Sequence, residues 1–369
     1  MMIYNSNLRV LEVVQSLEKG GRTIRFSDTV AGLRKQNIFT LALCFSEPCA
    51  SVTIPDLHIL HKTPGINWRL VFHIRKIIKL NKINLIHAHC ELSQLYTSIA
   101  GFSCGVKTVA TFHRSDLSKY QPSLVNTLIK LFSSHFVAVS HDRLSLLTKN
   151  LQLAPSKCAV VHGGAYINER PTPASIHKAR QDINVIRGDI ILLSLGHLGA
   201  IKGHQDTLVA LANLTKESRH IHLYIAGDGT PEEKSVLVDI VNSLNIDKHV
   251  TFLGQINNAA TWLEACDIFV QPSIEEAFGL VFVEAGAKAK PAVATAVGGI
   301  KEIIVHEKTG LLVPPANPTK LTDAVARLVA SKSLRLLYGE NGFKRVSENF
   351  SLTHMVNRYH RIFQQVKNT

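Results

Sequence analysis

PSIEEAFGLVFVEAGAKAKP, residues 272–291, decides how this chain is read. It lies between two apolar, strand-like segments, ACDIFV at 265–270 and AVATA at 292–296. The layout is therefore strand, acidic loop, helix, strand. Pro291 cannot donate the backbone hydrogen bond that continues a helix, so the helix is expected to start near Phe278 and to end before Pro291. Glu276 then falls in the loop at the helix mouth, and Glu284 about two turns into the helix. In open parallel sheets ligands sit outside the carboxyl ends of the strands. A helix N-terminus at that place offers unpaired N–H groups to an anion.

The same grammar runs through the rest of the second half. IILLSL at 190–195 reads as a strand, GHLGAIKG at 196–203 as the loop after it, and 206–214 as the next helix. A strand at 222–226 leads into Gly227-Asp228-Gly229, and another follows at 250–254. Gly298-Gly299 and Glu302 stand at a further strand end, before a short strand at 310–313. Helices are expected at 321–330, 335–346 and 351–366, the last with Met355, Val356, Tyr359 and Ile362 on one face.

The first half opens with a strand at 8–14, a turn at Gly20-Gly21 and a helix at 26–35 with Val30 and Leu33 inward, the opening unit of a doubly wound sheet. A second strand is expected at 38–45. Residues 68–82, WRLVFHIRKIIKLNK, form an amphipathic helix with Leu70, Ile74, Ile77 and Ile78 inward. Arg69, Arg75, Lys76, Lys79 and Lys82 make its outer face cationic, which suits anionic headgroups or simply a solvated surface. Strands follow at 85–89, 106–113, 136–140 and 158–161, and His113 closes the second of these. Residues 168–187, with Pro171 and Pro173, read as a domain boundary.

At 369 residues the chain has room for two domains. No apolar run approaches a spanning helix, and the first residues lack the charged start and apolar block of a signal peptide. The six cysteines form no CxxC pair, so buried thiols in a reducing compartment are expected, not a disulfide or zinc framework. The formal charge of +13 is uneven: residues 1–170 hold 20 Lys+Arg against 9 Asp+Glu, whereas residues 171–369 hold 21 against 19. The first half therefore faces an acidic partner or an anionic membrane surface, or is a basic surface that aids solubility. No Asp-x-Asp occurs, which argues against a metal-held diphosphate.

Taken in order, the GxLxxxKG loop, the PS before Glu276, the FG after it, Glu284-Ala285, Pro291, Gly298-Gly299, Glu302 and Gly310 resemble the signature of the retaining glycosyltransferases of family 4. The resemblance covers the second half and, more loosely, the first. It implies an α/β GT-B fold, two Rossmann-like domains facing across a cleft. Residues 1–168 would bind the acceptor and residues 169–350 the nucleotide-sugar, with residues 351–369 a terminal helix returning to the first domain. The implied activity is metal-independent, retaining transfer of a sugar from a nucleotide-sugar to a glycan or lipid-linked acceptor, in cell-surface polysaccharide or lipopolysaccharide synthesis. No cofactor and no nucleic acid are expected. The expected place is the cytosol, with peripheral binding to the inner face of the membrane through the basic half.

The resemblance also assigns residues. Lys202, with His197 where the family has arginine, would grip the donor diphosphate, and Gly196, Gly227, Gly279 and Leu280 would line the donor site. Glu276 would orient sugar hydroxyls, Glu284 would hold the ribose, and His113 would reach the reacting sugar; a hydrogen-bonded loop histidine is the other reading of His113. Gly20 and Gly21 would line the acceptor side, or form a tight turn only. Histidine at 197 cannot make the bidentate fork of arginine. Gly286, Lys288 and Ala289 also depart from the family pattern at the helix exit. A GT-B epimerase, or a non-catalytic GT-B binding module, is the alternative.

Overall fold

The computed structural model describes residues 7–18, 20–49, 52–65, 67–185, 188–216 and 220–369. Strands and helices alternate along the chain, and two compact units result: residues 1–164 with 352–369, and residues 165–351.

The first unit runs β1 (Arg9–Val14), α1 (Gly21–Lys35), β2 (Phe39–Cys44), β3 (Leu57–Ile59), α2 (Arg69–Leu80), β4 (Leu85–His89), α3 (Glu91–Ser103), β5 (Lys107–Phe112), α4 (Leu124–Phe132), β6 (His135–Ala138), α5 (His141–Leu151) and β7 (Cys158–Val160). The strands form one parallel sheet in the order β3-β2-β1-β4-β5-β6-β7. Parallel strands are buried on both faces and so read as near-continuous apolar runs. Alternate residues feed two cores. Val10 and Leu85 join Leu33 of α1 on one face, whereas Leu11, Val13 and Ile86 join Leu70 and Ile74 of α2 on the other.

The second unit holds α6 (Pro173–Asp182), β8 (Ile190–Leu195), α7 (His204–Thr215), β9 (Ile221–Ala226), α8 (Pro231–Ser243), β10 (Val250–Gly254), α9 (Ala259–Ala265), β11 (Ile268–Gln271), α10 (Leu280–Ala287), β12 (Ala292–Thr295), α11 (Ile300–Ile303), β13 (Gly310–Val313), α12 (Pro318–Ala330) and α13 (Lys332–Asn349). Its sheet is also parallel, in the order β10-β9-β8-β11-β12-β13. Leu192, Leu208, Ile225, Val270, Val293 and Val325 lie at its centre.

The last helix, α14 (Leu352–Asn368), belongs to the first unit. Met355, Val356, Tyr359, Ile362, Phe363 and Val366 are buried there against Val10, Leu33 and Leu85. Gly32 of α1 lets the two helices touch, because a Cβ at that position would stand 2.3 Å from Val356.

Two elements differ from the expectation. Helix α6 forms inside the segment read as a boundary, where Thr172 and Ser175 make a capping box and Pro173 takes the first turn. Helix α10 starts at Leu280 and not near Phe278, because Gly279 takes a left-handed φ of 93° and so stands outside the helix. Glu284 is thus the fifth helical residue, at the start of the second turn.

Candidate functional site

In the second unit the sheet reverses its strand order at β8: β9 lies to one side and β11 to the other. Such a switch point opens a crevice at the carboxyl ends of the two central strands. The loop after β8 and the loop after β11 are laced together there. Gly203, with a φ of 71°, packs so closely on the second loop that a Cβ would fall 2.0 Å from the Pro272 carbonyl oxygen. Gln271 Nε2 donates to the Lys202 carbonyl at 2.7 Å, and the Ile274 N–H to the Ile201 carbonyl at 2.8 Å. The result is an ion pair astride the switch point: Lys202 Nζ lies 2.6 Å from Glu276 Oε2, with both side chains largely buried.

The neighbouring predicted residues gather around this pair. Gly196 and Gly227 meet directly; a Cβ on Gly227 would lie 1.8 Å from the Gly196 carbonyl oxygen, and its φ of 148° also requires glycine. Gly279 caps α10 and makes no side-chain cap bond to the N–H groups of the first turn. A Cβ at Gly279 would stand 3.3 Å from Glu276 Cγ, and Leu280 is the first helical residue. Glu284 is half-buried on the same helix. The Gly299 N–H donates to the Glu276 carbonyl at 3.3 Å, which draws the start of α11 to the same loop.

His197 is held differently. Its Nδ1 accepts from the Gly199 N–H at 3.0 Å, and its Nε2 faces Glu233 at 3.6 Å. The neutral ring therefore carries its hydrogen on Nε2. Behind it, the buried His204 meets the His197 carbonyl at 3.1 Å, and burial brings the His204 imidazole down to about 4.

The first unit has its own switch point, between β1 and β4. Gly20 (φ 144°) and Gly21 lie at the carboxyl end of β1, where Gly21 begins α1. His113 follows the end of β5 and is half-buried. Behind it lies a polar network that the sequence reading missed. Glu12 of β1 is fully buried, as are His87 and His89 of β4, and the sheet register sets Glu12 beside His87. Glu12 Oε1 is 2.9 Å from His87 Nδ1 and Oε2 is 2.9 Å from His89 Nε2. His89 Nδ1 then meets His113 Nε2 at 2.7 Å, and the two rings stack. On the other branch His87 Nε2 meets Thr111 Oγ1 at 2.7 Å, and Arg25 Nε donates to the Tyr359 hydroxyl at 3.1 Å.

Burial drives the imidazoles of His87, His89 and His113 well below the ordinary histidine value, His89 to about 3, and pushes the Glu12 carboxyl up. Glu12, His87 and His89 also have the composition of a metal site, with donor atoms within 4.8 Å of one another. Every one of those donor atoms already has a hydrogen-bond partner, so the cluster is complete as a hydrogen-bond network. Two local signals were available: a lone carboxylate in the apolar run LEVV, and two histidines spaced i, i+2 on one strand face.

Residues 175–345 match the family model described as glycosyl transferases group 1, and residues 28–168 match that of glycosyltransferase family 4. A D-inositol 3-phosphate glycosyltransferase of Pseudarthrobacter chlorophenolicus is 36% identical, over 89% of this chain and 86% of its own length. An N-acetyl-alpha-D-glucosaminyl L-malate synthase of Bacillus anthracis is 27% identical, over 96% of this chain and 92% of its own. Among solved structures, Anabaena HepE in complex with UDP superposes with a TM-score of 0.85 at 21% identity, covering 97% of this chain and 100% of that one. The shared architecture is the GT-B fold.

Proposed function

We propose that this chain, which belongs to the group 1 glycosyltransferases, moves a sugar from a nucleotide-sugar to an anionic acceptor with retention of anomeric configuration. The observation that carries the reading is the Lys202–Glu276 pair at 2.6 Å, set astride the switch point of the second unit. Residues 169–350 take the donor. Its diphosphate draws Lys202 away from Glu276, and Glu276 then accepts from sugar hydroxyls. As the bond to the diphosphate breaks, the growing negative charge meets the Lys202 ammonium, the Nε2–H of His197 and the positive end of α10. Glu284 holds the ribose, and Gly196, Gly227, Gly279 and Leu280 let the nucleotide approach the backbone. UDP, the nucleotide named in the Anabaena complex, is the first to test. This mechanism uses cationic side chains and asks for no metal or cofactor.

Residues 1–168 take the acceptor, with His113 toward the reacting sugar and Gly20 and Gly21 on the acceptor side. An anionic acceptor fits the excess of Lys+Arg in residues 1–170. Two of the relatives are named for anions, inositol 3-phosphate and L-malate. Cell-surface polysaccharide or lipopolysaccharide precursors are one class of such acceptors; small phosphorylated or carboxylated polyols are another. A lipid-linked acceptor is favoured by the outer surface of α2, where Trp68, Phe72 and Leu80 are exposed among Arg69, Lys76 and Lys79. Among the described residues no helix is long and apolar enough to cross a membrane.

The test is a panel of nucleotide-sugars, with release of nucleoside diphosphate as the readout and EDTA present in one arm. A donor that is turned over by the wild type, and not by folded Glu276→Ala, supports the reading; an active Glu276→Ala removes this donor site. Nuclear magnetic resonance of the new anomeric centre decides retention. Co-sedimentation with anionic vesicles at low and high salt decides the membrane surface, and no binding at low salt excludes it.

A further inference from the structure

The second unit carries a cavity of about 490 Å³ at the opposite end of its sheet from Lys202 and Glu276. Cys266 and Asp267, which precede β11, and Pro291, which precedes β12, lie in its wall. The lining is of two kinds. Pro171, Pro173, Ile176 and Leu336 are apolar, whereas six Lys or Arg side chains face only two acids, Asp267 and Glu340. A volume of this size suits a small molecule.

Most of the charges in and around the cavity are already matched. Arg170 lies 2.6 Å from Glu340, Arg180 2.8 Å from Asp267, and Lys288 2.6 Å from Glu264. Lys290 is not. It is only 7% exposed, it lines the cavity, and among the described residues its ammonium makes no hydrogen bond or ion pair. Burial lowers its affinity for a proton, offset in part by the Cys266 and Asp267 groups. A largely buried ammonium with no hydrogen-bonded or ion-paired partner is costly, and the charges of Asp267 and Glu264 nearby offset only part of that cost. Lys332 at the rim is likewise unpaired among the described residues.

We propose that this cavity is a binding site for a phosphomonoester with an apolar body, the phosphate on Lys290 and Lys332 and the body against Pro171, Ile176 and Leu336. The dianion supplies the direct partner that Lys290 lacks, since Asp267 and Glu264 are paired with Arg180 and Lys288, and the excess of cations over acids in the lining favours a dianion over a single carboxylate. The site is separate from the transfer reaction and does not depend on its assignment.

Calorimetric titration with inorganic phosphate, with n-hexyl phosphate and with phosphatidic-acid vesicles tests it. The expected result is binding of hexyl phosphate, weaker binding of inorganic phosphate, and hexyl phosphate binding about tenfold or more weaker in Lys290→Met. Lys290→Met removes a buried charge and keeps the volume, so its melting temperature should hold or rise. Absence of hexyl phosphate binding at millimolar concentration, or equal binding by folded Lys290→Met, overturns the proposal. Binding to the vesicles alone overturns it in favour of a membrane surface. A second readout needs no variant: acetylation of Lys290 in the wild type, followed by mass spectrometry, should be slowed by hexyl phosphate, and an unchanged rate overturns the proposal as well.

Discussion

His89 Nδ1 stands 2.7 Å from His113 Nε2, so the histidine at the end of β5 is joined through one imidazole to the buried carboxylate of Glu12. With Glu12 ionised, hydrogens run toward it: His113 Nε2–H donates to His89, and His89 Nε2–H donates to Glu12. His113 then presents a bare Nδ1. A protonated Glu12 reverses both bonds and moves the His113 hydrogen to Nδ1. Glu12→Gln, whose amide donates as the acid does, should make the same reversal. The expected outcome is a pyridine-type Nδ1 on His113 in 15N spectra of the wild type at a pH where Glu12 is ionised, and a pyrrole-type Nδ1 in the variant at the same pH. The variant should lose about 1–3 kcal/mol of stability. Identical His113 spectra in the two folded proteins would refute the coupling.

Lys202 and Glu276 matter to both chemistry and stability. Both side chains are largely buried, so removing one charge costs more than breaking a surface pair. Lys202→Ala should therefore lower the melting temperature by several degrees. Loss of one charge-stabilising donor typically lowers kcat by about 10²–10³. A Lys202→Ala enzyme that keeps wild-type kcat would place the diphosphate elsewhere.

The exit of α10 reverses the sign expected from propensity. Glycine inside a helix costs about 1 kcal/mol relative to alanine, so Gly286→Ala should stabilise on local grounds. In the structure a Cβ at Gly286 would stand 2.6 Å from Val346 Cγ2, where α10 crosses α13. Valine is stiff at χ1 and cannot swing aside. Gly286→Ala should lower the midpoint of urea unfolding, and a raised midpoint would show the helices part at little cost. Three residues on, Ala289 is held at a φ of 53°, where an L side chain costs about 1 kcal/mol or more. Ala289→Gly should raise the same midpoint.

Acid should destabilise the protein earlier than its carboxylates alone would. His89 and His204 are buried and neutral, with values near 3 and 4 against an ordinary 6.5. Below 6.5 the unfolded chain takes up protons that the folded chain refuses, so stability present above pH 6.5 is lost as pH falls. Each group costs about 1.4 kcal/mol per pH unit in that window. The raised Glu12 carboxyl acts in the opposite sense, because there the folded state holds the proton more firmly. Two or more histidines outweigh one carboxyl, and the urea midpoint at pH 5.5 should fall clearly below that at pH 7.5. Equal midpoints would mean that these rings are protonated in the folded state.

What could be read from the sequence follows physical range. Alternating strands and helices, the loops at strand ends and the Glu276–Lys202 elements rest on local signals: glycine at turns, proline at helix ends, apolar runs of strand length. The start of α10 was misplaced by two residues because Gly279 looks the same on paper whether it is helical or left-handed. Glu12, Arg25 and Tyr359 escaped notice for another reason. Their meaning comes from the pairing of β1 with β4 and the docking of α14, contacts between residues far apart in the chain. The same holds for Gly286, which looked like a flaw in a helix and is a helix crossing.

The membership of α14 in the first unit sets an order of events during synthesis. Residues 165–351 are contiguous and have all their partners once they leave the ribosome, whereas residues 1–164 wait until Leu352–Asn368 has been made. Domains fold as units as the chain emerges. For all of that interval Val10, Leu33 and Leu85 lack the apolar cover of Met355, Tyr359 and Phe363, and Arg25 lacks its tyrosine. The nascent first unit thus carries an open apolar flank of the kind that holding chaperones bind, and translation of α14 is what releases it.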